Sequence, residues 1–325
     1  MATLLQSLDQ LIANISLTDR QEDNISQSLN NINGHLLNKE NKLSVLRTFT
    51  NGSYERDTII RPLNDIDIFA VLKFEDWKDQ NGTYPTPQSV LTKIKNYLNA
   101  QNDYKDKVFQ DRPCVTLELS DKNFDIMPSF EQIGGGYLIP NHDLSSWTFS
   151  NPEQLTTDLD QTHKLKNYKL KPIIKAIKYW NRENGKIIPS YHIEEAAINI
   201  FKLHNFSNYE EAIRLWFNNA EYNLYSHKFK SNDDYTTSIK RIKKVKDKLN
   251  DAKEKYAAKK EGEAIKIWKD IFTKEFPAID VDEANNISKA LTEGTLKISS
   301  SGGLSTTLGS SVSASKGFFD GILQE

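Results

Sequence analysis

The sequence predicts an α+β protein, mixed α/β in its first part and all-helical in its second. Three observations carry that expectation. Strand-like stretches are confined to the region before about residue 140. From about residue 152 onward the apolar residues fall at helical spacing. The length, 325 residues and 37.2 kDa, suits one large domain or two closely packed ones within a two-lobed body. The expected division is a first lobe over 1–150 with N-terminal helices, a helical lobe over 151–295, and a Ser/Gly-rich flexible tail over 296–325.

The elements follow in order. Leu4, Leu8, Leu11, Ile12 and Ile15 make one apolar stripe at helical spacing. A second helix is expected over roughly 18–41, with Thr18 and Gln21 as a capping box and Ile25, Leu29, Ile32 and Leu36 on its apolar side. "LSVLRTFTNGS" reads as a strand running into a Gly-Ser turn. "DIDIFAVLKF" reads as a strand whose alternation puts Asp65 and Asp67 on one face, Ile66 and Ile68 on the other. Residues 87–100 carry Val90, Leu91, Ile94 and Leu98 and read as a helix. "CVTLELS" and "NFDIMPSF" read as strands joined by the turn Asp121-Lys122-Asn123, and "IGGGYLIPN" as loop and short strand. Beyond them, helices are expected over 160–184, 190–203 and 234–274. There is no internal repeat.

Composition removes several classes of function. Basic and acidic residues number 42 and 44, a formal net charge of −2, which excludes a strongly basic nucleic-acid coat protein and an acidic disordered tail protein. The single cysteine, Cys114, excludes a disulfide framework and a multi-thiolate zinc site, and reads as a small buried hydrophobe. The six histidines are scattered, with no HExxH or HxxxH pair. No apolar run approaches the ~18 residues of a membrane span, and the N-terminal stretch lacks a basic n-region, so a cytoplasmic protein is expected. The segment 228–274 holds 15 Lys/Arg against 8 Asp/Glu. It reads as a solvated helix with i,i+4 pairs, with a duplex-binding or regulatory surface as the alternative.

The chemistry lies in "NGSYERDTIIRPLNDIDIFAVL" taken with "NFDIMPSF". Gly52-Ser53 falls where a strand ends and a helix begins. Glycine there lets the backbone approach a ligand, and free N–H groups attract phosphate. Asp65 and Asp67 at i and i+2 place two carboxylates on one strand face, about 7 Å apart at Cα, and Asp125 on a separate strand supplies a third. Three carboxylates, with phosphate oxygens and water, suit Mg²⁺. One acidic pair on a strand is weak by itself. The order Gly-Ser turn, DID strand, later strand Asp is more demanding, because aspartate is a poor strand former.

This pattern resembles the DNA polymerase β-like nucleotidyltransferase superfamily, and within it the bacterial cGAS/DncV-like nucleotidyltransferases (the CD-NTases, or SMODS family). "NGSYERDTIIRPLNDIDI", "FDIMPSF" followed by "GYLIPN", "SSWTFSNP", "KPIIKAIKYWNRENG" and "IPSYHIEEAAINIF" carry the resemblance, over about residues 45–205. It implies a polymerase β-like lobe, a mixed sheet with flanking helices, packed on a C-terminal helical lobe that closes a nucleotide cleft. It implies that Gly52 and Ser53 hold the triphosphate, that Asp65, Asp67 and Asp125 bind two Mg²⁺ ions (Mn²⁺ as a substitute), and that Lys178 contacts phosphate. Ser190 and Tyr191 match a Ser-Tyr pair, the serine on phosphate and the ring on a base. Read from the residues alone, the less favoured alternatives are a solvated helix lysine for Lys178 and a core tyrosine for Tyr191, and Lys175 rivals Lys178. Arg56 and Thr58 flank the turn with no assigned role.

The activity so implied is the joining of nucleoside triphosphates, ATP favoured, into a cyclic di- or trinucleotide second messenger for anti-phage (CBASS) defence. A ribose hydroxyl attacks an α-phosphate and pyrophosphate leaves. The implied partners are a separate effector that binds the product and an activator, either a HORMA-domain protein or nucleic acid; no membrane is implied. Two alternatives stay open. One is a template-independent RNA-modifying nucleotidyltransferase of the poly(A) or tRNA-end type, with a nucleotide-transferring modifier of protein or tRNA beside it. The other is a catalytically silent nucleotide-binding scaffold, against which the three aspartates and the Gly-Ser pair speak.

Overall fold

In the computed structural model, the structure describes residues 3–63, 65–277, 281–298, 304–307 and 309–311. In chain order the elements are α1 (Leu4–Ile15), α2 (Asp19–Leu36), β1 (Val45–Asn51), α3 (Gly52–Glu55), β2 (Ile66–Leu72), α4 (Phe74–Trp77), α5 (Pro87–Asn99), β3 (Val108–Asp111), β4 (Cys114–Glu118), β5 (Asn123–Glu131), β6 (Tyr137–Pro140) and β7 (Trp147–Ser150). There follow α6 (Pro152–Leu165), α7 (Leu170–Glu183), α8 (Ser190–Leu203), α9 (Tyr209–Asn223), α10 (Asn232–Ala257), α11 (Glu261–Phe272) and α12 (Val281–Thr292). Three two-residue strands close the list: β8 (Lys297–Ile298), β9 (Leu304–Ser305) and β10 (Ser310–Ser311). The seven-stranded sheet β1–β7 in the first half and the run of helices α6–α12 after it bear out the α+β expectation.

The chain divides into two compact units, Ser16–Lys175 and Met1–Ile15 together with Ala176–Glu325. Composition suggested a division at 150/151. Compactness instead divides α7 after Lys175 and assigns α1 to the unit that holds the later helices. The expected Ser/Gly-rich tail falls mostly outside the described residues.

The unit 16–175 is built on a mixed sheet with the strand order β1-β2-β5-β4-β3, extended by β6 on β5 and β7 on β6. β2 and β5 run parallel; β1 on β2 and β4 on β5 are antiparallel. Alternation decides the two faces. Ile66, Ile68, Ala70 and Leu72 of β2 join Val115, Leu117, Phe124 and Ile126 in one buried cluster with Ile25, Ile32 and Leu36 of α2 and Val90, Leu91, Ile94 and Leu98 of α5. Each such side chain contributes about 1.5–3 kcal/mol on burial. On the opposite face of β2, Phe69 packs with Phe49 and Tyr137, and the polar groups gather at the Asp67 end.

The other unit is helical among its described residues up to Thr292, apart from short turns. Trp216, Phe217, Trp268 and Phe272 are buried together with Leu8 and Leu11 of α1, which packs on α9 and α11. No helix among the described residues is long and apolar enough to cross a membrane.

Three helix boundaries depart from the expected ones, each for a local reason. α2 stops at Leu36 because Asn41 folds back and donates from Nδ2 to the carbonyls of His35 (2.6 Å) and Leu36 (3.0 Å). The helix expected over 160–184 breaks between α6 and α7, where Asn167 and Tyr168 take φ of 51° and 60° and the N–H of Tyr168 closes onto the carbonyl of His163 at 2.9 Å. The one expected over 234–274 breaks in the same way at Lys259 (φ 62°), with the N–H of Lys260 on the carbonyl of Lys255 at 2.9 Å. Apolar spacing continues across both breaks, so periodicity alone joined the helices. β3, β7 and α9 were not singled out in the sequence. α9 starts at an Asn208 cap whose Oδ1 accepts the N–H of Glu211 at 2.9 Å.

Candidate active site

Register places the acidic residues. Asn51 of β1 pairs with Asp67 of β2, Asp67 with Asp125 of β5, and Asp125 with Thr116 of β4. Paired residues point to the same side of a sheet, so these four side chains form one row across four strands, about 4.8 Å from strand to strand. Asp65 and Asn123, each two residues earlier, share that face. The pattern of burial agrees: Ile66 and Ile68 are buried, Asp65 is exposed and Asp67 half-buried.

The neighbours in the rows hold the carboxylates. Thr116 Oγ1 donates to Asp125 Oδ1 at 2.6 Å, and Asn123 Nδ2 donates to Asp65 Oδ1 at 3.2 Å. Burial raises the Asp125 carboxyl above its ordinary range. The Thr116 hydrogen bond partly offsets this, and the charges of Asp65 and Asp111 add to the rise. Burial likewise raises the Cys114 thiol, reinforced by the charges of Asp125, Asp67, Asp111 and Asp65, so it stays protonated and inert. It is the buried small hydrophobe expected of it.

The Gly-Ser turn meets the same row. Gly52 opens α3 with φ +69°, and a Cβ on it would stand 2.9 Å from Asp67 Cγ and closer still to Oδ2. Only glycine lets β1 turn this near a carboxylate. The turn is closed by the N–H of Thr58 on the carbonyl of Ser53 at 2.8 Å and by Arg56 Nη1, which donates to Asn51 Oδ1 at 3.3 Å. Arg56 and Thr58 are buried; they shape the turn. Thr50 Oγ1 also donates to Glu55 Oε2. Beside the turn lies a hollow of about 500 Å³, lined among others by Arg47, Phe49, Asn51, Glu55, Glu153 and Thr157. Arg47 Nη2 donates to Tyr137 Oη at 2.7 Å, and Tyr137 donates to Glu153 Oε1 at 3.0 Å.

Gly52, Ser53, Asp65, Asp67 and Asp125 thus belong to one unit, with the three aspartates on one sheet face and Gly52 against Asp67, whereas Lys178, Ser190 and Tyr191 belong to the other. Lys178 is 6% exposed and its Nζ lies 2.5 Å from Oε1 of the fully buried Glu194 on α8. It is neither a solvated lysine nor a mobile one. Lys175, its rival, is in the sheet-bearing unit and pairs with Asp57, just past α3, at 2.7 Å. Ser190 and Tyr191 begin α8, and Tyr191 is 43% exposed, which removes the reading of it as a core tyrosine. Sequence reasoning missed Thr116, Asn123 and Asn51. Their signal is positional, a polar residue at the strand register of each aspartate, and it becomes visible once the pairing is known.

As the side chains stand, no group of three or more His, Cys, Asp or Glu among the described residues is disposed to hold a metal ion. Asp65 is turned to Asn123 and Asp125 to Thr116. The donor set nonetheless fits a hard cation. All three donors are carboxylates, two of them register partners on parallel strands, and the missing Cβ of Gly52 leaves Asp67 its place.

Residues 1–162 match the family model of the Second Messenger Oligonucleotide or Dinucleotide Synthetase domain (SMODS). The chain is 30% identical over 223 residues to a cyclic AMP-AMP-AMP synthase of Acinetobacter sp. (strain ATCC 27244 / 9458). That match covers 65% of this chain and 62% of the synthase. In structure it is similar to CdnC of E. coli MS115-1, solved with ATP, at a TM-score of 0.68 and 14% identity, covering 84% of this chain and 99% of CdnC. CdnC has also been solved in a HORMA-deltaN complex. DncV of Vibrio cholerae, a cyclic AMP-GMP synthase solved with the linear intermediate pppA(3′,5′)pG, is similar at a TM-score of 0.66 and 12% identity, covering 85% of this chain and 97% of DncV.

Proposed function

We propose that the chain is a bacterial cGAS/DncV-like nucleotidyltransferase, the reading its similarities support, and that it joins nucleoside triphosphates, ATP among them, into a cyclic di- or trinucleotide second messenger. The observation that carries this reading is the row Asp67–Asp125 with Asp65 beside it and Gly52 pressed against Asp67. In each round a ribose hydroxyl oxygen attacks an α-phosphorus, the bond from that phosphorus to the bridging oxygen breaks, and pyrophosphate leaves.

The residues divide the work. The backbone at Gly52 and the Ser53 hydroxyl bind the triphosphate. Asp65, Asp67 and Asp125 would hold the divalent cations, two Mg²⁺ with Mn²⁺ as a substitute. When bound, such ions supply charge neutralisation for the phosphates and lower the pKa of the attacking hydroxyl. Asp125 would contribute to activating that hydroxyl through the cation it would hold. Ser190 gives the second unit a phosphate contact, and the exposed Tyr191 ring a stacking face for a base, worth about 1–3 kcal/mol. Lys178 is assigned a phosphate contact beside the hydrogen bond its ammonium donates to the buried Glu194.

The adenine preference is supported by the relative named for cyclic AMP-AMP-AMP. The same reading puts the product in anti-phage defence with a separate effector and takes a HORMA-domain protein as activator; the CdnC:HORMA-deltaN complex supports a partner of that kind. The test is incubation of the purified protein with four radiolabelled NTPs and Mg²⁺ or Mn²⁺, followed by phosphatase and chromatography. A phosphatase-resistant product without RNA is expected. Labelled NTP incorporated only into added RNA overturns the reading in favour of an RNA-modifying enzyme.

A further inference from the structure

The residue after Tyr191 has no part in the reading above. His192 is fully buried. Its Nε2 accepts the backbone N–H of Tyr225 at 2.8 Å, so the ring proton sits on Nδ1, which donates to Glu195 Oε2 at 3.0 Å. Lys228 Nζ donates to both oxygens of that carboxylate, at 2.7 and 2.6 Å. One imidazole and one carboxylate therefore fasten the segment 225–228 to the first two turns of α8.

What this fastening presents outward is aromatic. The rings of Tyr191 and Tyr225 lie 6.2 and 5.7 Å from the buried imidazole, one on each side in sequence, and are 43% and 44% exposed. His227 stacks on Tyr225 with centroids 5.9 Å apart and planes 14° from parallel. Lys228 Nζ stands 5.8 Å from the Tyr191 centroid. Two half-exposed tyrosines, a stacked imidazole and an ammonium on one hub form a surface that suits a flat, electron-rich ring carrying phosphate.

We propose that His192 is a positioning residue for nucleotide binding, and that Tyr225, which it holds in place, is a second stacking face beside Tyr191. The proposal rests on the reading that Tyr191 meets a nucleobase. The hub works through neutral imidazole, because a proton on Nε2 would face the N–H of Tyr225. Burial keeps the ring below the ordinary histidine range, and the charges of Lys228 and His227 add to this while Glu195 opposes it.

The experiment measures binding of α,β-methylene-ATP, KM and kcat for ATP, and melting temperature in the wild type, Tyr225→Ala, His192→Leu and His192→Gln. Tyr225→Ala, a change at an exposed ring, is expected to weaken the analogue and raise KM about tenfold, the scale of one lost stack, with kcat within about threefold. His192→Leu, which has no acceptor for the Tyr225 N–H, is expected to raise KM by a similar factor. His192→Gln, whose Oε1 reaches the place of Nε2, is expected to recover most of that loss. Wild-type KM and analogue affinity in Tyr225→Ala overturn the proposal even if His192→Leu fails to fold. A melting-temperature loss in both His192 variants without any KM change reduces His192 to a packing role and overturns it too. If the wild type itself does not bind the analogue, the nucleotide reading falls and the proposal with it.

Discussion

Replacing Gly52 with alanine separates two costs that usually arrive together. The residue has φ +69°, where a β-carbon is disfavoured by about 1–2 kcal/mol. The added methyl would also stand 2.9 Å from Asp67 Cγ, and the atoms it meets belong to that side chain alone. The carboxylate can rotate away, so the collision is relieved at the expense of the site and not of the fold. Gly82 is the matched control, with φ +75° and nothing within 4 Å of a built Cβ. Both variants should lose about 1–2 kcal/mol, a few degrees in Tm for a unit of this size. Only Gly52→Ala should lose turnover, by about 10²-fold, the usual effect of displacing a reacting group by an ångström. The assay is pyrophosphate release from ATP with Mg²⁺, beside thermal melts of both variants. Turnover in Gly52→Ala within threefold of that in Gly82→Ala would refute the argument that the glycine exists to make room for Asp67.

Asp125→Asn should abolish turnover yet raise the Tm of the metal-free protein at pH 7–8. The carboxyl is raised by burial first and by Asp65 and Asp111, so its contribution to stability is complete below the ordinary aspartate pKa and lost as pH rises through the folded value. Melts in EDTA across pH 3.5–8 check this, and a lower Tm than wild type at pH 8 contradicts it. Asp67→Asn should remove turnover with the fold intact, and Mg²⁺ should raise the Tm of wild type more than that of this variant; equal shifts remove Asp67 from the metal site. Lys178→Ala should cost roughly 3–5 kcal/mol in urea melts, since it takes a charge partner from a fully buried carboxylate. Lys175→Ala should cost less than about 1 kcal/mol, because Asp57 is largely in water. Equal losses would mean that the Lys178–Glu194 pair is not closed in solution.

Much of the site was legible because its signals are local. Alternation gives the face of Asp65 and Asp67, and a Gly-Ser step after a strand gives the turn. Asp125 lies 58 residues beyond Asp67, and nothing in the intervening spacing says that β5 runs parallel to β2 in the register Asp67–Asp125. The resemblance supplied what the spacing could not. Thr116 and Asn123 were invisible for the same reason. The breaks at Asn167 and Lys259 were missed because left-handed residues are sought as glycine, and here they are Asn and Lys within continuing apolar periodicity. The pair Lys178–Glu194 reads in the sequence as two ordinary helix charges, because burial of a salt bridge is decided by what packs over both helices.

The assignment of α1 has a consequence for synthesis. Its apolar stripe, with Leu8 and Leu11 fully buried, packs on α9 and α11, and the N–H of Leu4 is received by Glu261. The segment 16–175 interrupts that unit in the chain. At about 5–20 residues per second, a ribosome takes tens of seconds to pass from the end of α1 to the end of α11. The whole sheet-bearing unit leaves the tunnel in that interval, free to fold on its own contiguous stretch of chain. α1 is therefore made before the helices that cover it, and a nascent chain stalled once residue 175 has cleared the tunnel should present a folded sheet domain preceded by an exposed leucine face that chaperones can hold.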